Sequence, residues 1–159
     1  MSLLLLIGFT VGITNSFAQV QFFVPLPDQE LRSSLKVFTD AGNSSIGNDI
    51  NSVISLVVVE DGATIIYDHW EDGYEVDPNN PTQSTTLIFG DGNTGNGNAA
   101  TYCSGCAESG LLAGDVLFFE NVVPASPRNS SNIFFDGRDK VISDRFLAVS
   151  RSGWSPNPG

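Results

Sequence analysis

Apolar positions along this chain fall into short blocks, alternating or β-branched, that are broken every few residues by Gly, Pro, Asn or Asp. Ser52 to Glu60 is rich in β-branched residues, Asp61-Gly62 offers a turn that tolerates positive φ, and Ala63 to Trp70 forms a second such run. The pattern predicts a β-hairpin over 52–70. Val57, Val58 and Val59 do not alternate with polar residues, which predicts burial on both faces. Further strands are expected at Val20 to Val24, Ser84 to Phe89, Asp115 to Val122, Asn132 to Phe135 and Lys140 to Ser150. Helical spacing occurs once, where Asp28 caps a segment carrying Leu31, Leu35 and Phe38 on a single face. Gly90 to Asn98 is polar, has little to bury, and reads as a mobile tip. Short strands between Gly and Pro turns predict an all-β fold of antiparallel sheets arranged as a β-sandwich. The last long strand needs a partner on its free edge, so the sandwich is expected to be incomplete at the C-terminus, as in a fragment of a longer protein.

The first residues follow a different rule. Leu3 to Ile7, Phe9, Val11 and Ile13 form an apolar run that is too short for the roughly 20 residues a membrane span needs. Ser16 and Ala18 stand where a signal-peptidase site has small residues, which predicts a signal peptide over 1–18 and a single extracellular domain over 19–159. No transmembrane segment is expected in the mature chain. Asn43 and Asn129 lie in N-glycosylation sequons. Secretion also bears on Cys103 and Cys106, since in an oxidising compartment a CxxC pair most simply closes a disulfide. Zinc would need about four ligands, and His69 is the sole imidazole of the chain.

Composition narrows the function. The formal charge of −11 speaks against a nucleic-acid binder of the basic-patch kind. The excess is local: from Val37 to Pro127 the chain holds 13 acids and no Lys or Arg. Arg138, Lys140, Arg145 and Arg151 follow it and can relieve part of that charge if the last strand packs beside the acidic region.

Acids and aromatics are densest from Tyr67 to Asp77. In an extended strand Tyr67 and His69 point one way and Asp68 and Trp70 the other. Three readings of this stretch stand side by side. In one, Asp68, Glu71, Asp72 and Asp77 supply oxygen ligands to a structural calcium ion, the only cofactor expected. In another, Trp70 and Tyr74 stack on a sugar while nearby acids bond its hydroxyls. In the third, the aromatics anchor the core and the acids face water. Asp91 to Tyr102 fits the EF-hand pattern poorly, and Glu60, Glu71, Glu75, Glu108 and Glu120 show no spacing that singles out a catalytic pair. No catalytic residue is assigned and no enzyme is expected.

Tyr67-Asp-His-Trp-Glu-Asp-Gly-Tyr-Glu75, Gln83 to Thr86, Gly114-Asp-Val116, Pro127-Arg-Asn129 and Phe135 to Lys140 together resemble the N-terminal region of large secreted proteins of bacteria and fungi. Those proteins carry β-rich modules similar to the IgGFc-binding type of extracellular domain. The resemblance implies a secreted or cell-surface module for adhesion or matrix contact, with an extracellular protein or glycan as partner. The alternative is a carbohydrate-binding or glycan-hydrolysing extracellular protein.

Overall fold

The computed structural model of the chain describes residues 19–25, 50–69, 73–123 and 138–154. Its elements are β1 (Val20–Pro25), β2 (Ile50–Val58), β3 (Ile65–Asp68), β4 (Leu87–Phe89), a single helical turn α1 (Ala99–Tyr102), β5 (Val116–Val123), β6 (Arg138–Ser143) and β7 (Leu147–Trp154). They form two antiparallel sheets, one ordered β1-β6-β3-β4 and the other β5-β2-β7. The all-β sandwich expected from the pattern is the fold observed.

The alternation in β2 explains how the sheets stack. Ile50, Ser52, Ile54, Leu56 and Val58 are buried, and the residues between them are half-buried. Ile54 and Leu56 join Leu117 and Phe119 of β5 in the interior, where they meet Val24, Ile65, Tyr67, Phe89 and Val141 of the other sheet. Each fully buried Ile or Leu contributes about 1.5–3 kcal/mol. Ile66, Ile88 and Ile142 form a separate small cluster, as the period of two requires for residues flanked by inward-facing neighbours. Arg151 latches the two sheets together, its guanidinium donating to the Val24 carbonyl at 2.6 Å and to Ser52 Oγ at 3.0 Å.

The hairpin over 52–70 does not form. β2 pairs with β5 and β7, whereas β3 pairs with β4 and β6, so the chain crosses from one sheet to the other after Val58. Asp61-Gly62 does turn, with Gly62 at φ 75°. The groups a hairpin would use are taken by residues 111–114. Gly62 N donates to the Leu111 carbonyl at 2.7 Å, Gly114 N to the Val58 carbonyl at 2.9 Å and Ala113 N to Asp61 Oδ1 at 2.8 Å. Nor are the three valines buried on both faces: Val58 lies inside, while Val59 is 52 % exposed.

The strand expected over Lys140 to Ser150 is likewise two strands in different sheets. Asp144 interrupts it by accepting the Thr64 N–H on Oδ1 at 2.8 Å, which lays the second crossover against the first. Ser84 and Thr85 form a turn, so β4 is shorter than expected. The Asp28 helix, the strand at 132–135 and the sequons at Asn43 and Asn129 lie outside the described residues. Among the described residues no helix is long and apolar enough to cross a membrane.

Candidate functional site

The period of two sorts the Tyr67 region onto two faces, as expected. On one face Asp68, fully buried, accepts from Lys140 Nζ at 2.7 Å. The pair is a register pair, Asp68 of β3 lying opposite Lys140 of β6. The Glu75 N–H reaches both Asp68 oxygens at 3.3 and 3.2 Å, and Thr86 Oγ1 donates to one at 3.4 Å. The carboxylate expected to bind calcium is therefore already neutralised by a lysine. Asp77 is exposed and accepts the Asn79 N–H at 3.2 Å, as in a turn. Glu71, Asp72 and Trp70 lie outside the described residues. Tyr74, expected as a sugar platform, has Lys140 Nζ 4.5 Å above its ring centre and Phe23 edge-on at 5.9 Å.

The acids of this region do not simply face water. Glu75 is buried, accepting from Thr82 Oγ1 at 2.9 Å and from Gln83 N at 3.0 Å. Hydrogen bonding from the Thr82 backbone, then from the Gln83 backbone and the Thr82 and Thr86 hydroxyls, holds its carboxyl below the ordinary 4.5.

On the inward face the Tyr67 hydroxyl donates to Asp139 Oδ2 in a short hydrogen bond. The other oxygen of Asp139 lies 3.4 Å from His69 Nδ1. Tyr67 also meets the imidazole edge-on at 4.8 Å and stacks on Phe119 of the opposite sheet at 4.2 Å. The ring of His69 is thus positioned from two sides, by a buried carboxylate and by an aromatic.

His69 lies on the wall of a cleft of about 310 Å³ at the seam where the β4 edge of one sheet approaches the β5 edge of the other. Leu87, Tyr102 and Phe119 supply its apolar surface, and Ser84, Thr85, Glu120 and Asn121 its polar groups. Thr85 Oγ1 is buried with no hydrogen-bond partner among the described residues. A ligand that draws this hydroxyl outward gains a bond without breaking one. This seam cleft unites hydroxyl, amide, carboxylate and imidazole with aromatic surface, the chemistry that orients a polar ligand.

The loop over 90–98 leads from β4 into α1, whose Tyr102 lines the cleft. Glu108, buried, accepts from Gly90 N and from Ala99 N, the latter at 2.6 Å, so one carboxylate ties both ends of the loop. Asp91 and Asn93, the residues resembling a calcium loop, accept amides within it: Asn93 N bonds Asp91 Oδ1 at 2.8 Å and Gly95 N bonds Asn93 Oδ1 at 3.0 Å. Ile88 N donates to the Asn96 carbonyl at 3.0 Å, and a Cβ at Gly97 would collide with the Ile88 carbonyl oxygen. The segment is docked on β4 rather than standing free as a tip.

Asn98 caps α1 through its side chain, which accepts from Ala100 N at 3.1 Å. Cys103, at the opposite end, forms a disulfide with Cys106 across a Cα–Cα distance of 5.5 Å. A redox CxxC needs its first cysteine at a helix N-terminus; Cys103 follows the last turn, so the bond acts as a brace for α1. Among the described residues, the group of three metal-ligand side chains within 4.8 Å of one another is Cys103, Cys106 and Asp115, which includes neither Asp68 nor Asp77. No protein-family model, curated protein or solved structure matches this chain.

In the sequence His69 stands out only as the sole imidazole and Glu108 and Glu120 only as two of several acids, while Asp139, Tyr102, Phe119 and Asn121 do not stand out. That Tyr67 and His69 share a face was legible from alternation; that this face is the inward one was not. Nor were their partners, because Asp139 lies 72 residues from Tyr67 in the chain.

Proposed function

We propose that the protein is a secreted or cell-surface β-sandwich module that serves adhesion or surface attachment by holding a glycan in the seam cleft. The observation that carries this reading is the composition of that cleft, in which apolar surface from Leu87 and the Tyr102 ring, backed by the buried Phe119, adjoins Ser84, Thr85, Glu120 and Asn121. Sugars present apolar C–H faces and hydroxyls that both donate and accept, and these groups match them in kind. The sugar site expected at Trp70 and Tyr74 is thereby moved across β3, since the Tyr74 ring already carries Lys140. The extracellular setting comes from the signal-peptide pattern and from the resemblance to large secreted proteins. Calcium belongs to this reading only through Glu71, Asp72 and Asp77, since Lys140 compensates Asp68.

The module is a binder rather than an enzyme in this reading. A glycan array followed by calorimetric titration tests it. Glu120→Ala and Ser84→Ala, both at exposed positions, are expected to weaken binding by roughly tenfold each while leaving the melting temperature in place. Absence of any array signal, or unchanged affinity in both variants, overturns the assignment; release of reducing sugar from bound glycans would move it to the hydrolytic alternative.

A further inference from the structure

A second cleft, of about 530 Å³, opens between residues 81–87 and 94–102. Ser84, Leu87 and Tyr102 line this cleft and the seam cleft alike, so the two adjoin at these residues. Its lining differs in kind. Thr82, Thr94, Asn96, Asn98 and Thr101 give it hydroxyls and amides, and among the described residues no charged side chain lines it. Thr82 already donates to Glu75, Asn96 Nδ2 to Asp91, and Asn98 Oδ1 accepts from Ala100 N. Hydroxyls and amides each carry more than one donor or acceptor position, so the cleft suits a neutral ligand dense in hydroxyls. A phosphate, sulfate or uronate is favoured by Arg or Lys, and among the described residues neither cleft is lined by one. An apolar ligand would leave the amides without partners.

We infer that the two clefts are adjoining subsites of one groove, which takes a linear, uncharged oligosaccharide running past Tyr102 from the seam into the polar cleft. The inference rests on the glycan reading and deepens it by assigning length and charge to the ligand. The junction is rigid, as the groove requires. The Tyr102 ring stacks on Phe119 at 4.8 Å and meets Phe89 edge-on at 5.3 Å, while the Asn98 cap and the Cys103–Cys106 bond hold the turn that carries it. Two sugar units bound on a preformed wall lose less freedom than two bound separately, so affinity should climb with chain length until the groove is full.

The test titrates the full chain with neutral gluco-, manno-, xylo- and N-acetylglucosamine oligosaccharides, from monosaccharide to hexasaccharide, with oligogalacturonides as acidic controls. At least one neutral series should gain roughly tenfold or more in affinity between the monosaccharide and the longer chains. Thr94→Ala with Thr101→Ala, and separately Thr101→Trp to fill the polar cleft, should abolish the gain while leaving monosaccharide affinity unchanged. Both positions are exposed, and an unchanged melting temperature checks the fold. Equal affinity at every length overturns the inference, as does equal loss for short and long chains in the variants, or oligogalacturonide binding as tight as neutral binding. Failure of all series to bind overturns the glycan reading itself.

Discussion

The two faces of the β3–β6 pair carry nearly the same residue types and put them to different use. Outward, Asp68, Lys140, Tyr74 and Glu75 are bonded to one another and to loop amides, which leaves little for a ligand to take. Inward, Tyr67 and Asp139 are equally buried, yet they end on His69, which borders an open cleft. The density of acids and aromatics is therefore a poor guide to a site. What separates the faces is where the run of polar contacts ends, in a closed ion pair or at a cavity wall.

Asp68→Ala should break the outward face most severely. It strands the Lys140 ammonium in a buried place, and the expected loss of stability is about 3–5 kcal/mol, read by urea unfolding. The paired change Asp68→Leu with Lys140→Met should recover much of it, because no charge is then left unpaired. An Asp68→Ala chain that melts like the parent would show that the pair is not closed as described.

On the inward face the expected cost is smaller and the functional effect larger. Tyr67→Phe removes one donor to Asp139 and should cost about 1–3 kcal/mol. It should also loosen the His69 ring and so weaken glycan binding, which the outward-face variants that still fold should not do. Equal effects on binding from both faces would erase the distinction drawn between them.

The smallest effect is a pH dependence. The Glu75 carboxyl titrates below its unfolded value in the folded chain, so its contribution is complete above about the ordinary 4.5 and is lost as pH falls through the lower folded value. In Glu75→Gln, melting temperature against pH should fall less steeply on the acid side of that point than in the parent. An acid limb of identical slope in both would assign the acid sensitivity to other carboxylates.

How much of this was legible beforehand follows from how local each feature is. β1 and β5 were readable because their patterns lie within their own residues, and the shared face of Tyr67 and His69 because strand side chains alternate. The partner of β2 was not. Asp61-Gly62 turns the chain in a hairpin and in a crossover alike, and the choice was made by residues 111–114, which occupy the amides a hairpin would have paired. The same holds for Lys140 to Ser150, where Asp144 divides one apparent strand by bonding Thr64, 80 residues away in the chain. Among the candidate residues, Lys140 was expected to relieve acidic charge, and it does so at Asp68. Arg151, expected in the same role, binds a carbonyl and a serine. The seam cleft itself was out of reach, because it depends on two sheet edges whose order no short window of sequence encodes.

The pairing of β1 with β6, and of β2 with β7, also governs how the molecule must come into being. Phe23 lies opposite Lys140 and Asn51 opposite Trp154, so neither sheet can close until nearly all of the described chain is present. A polypeptide emerging from its N-terminus would hold β1 unpaired until β6 is made and β2 until β5 is made. It would then fold slowly, in about milliseconds to seconds for topologies so dominated by distant contacts.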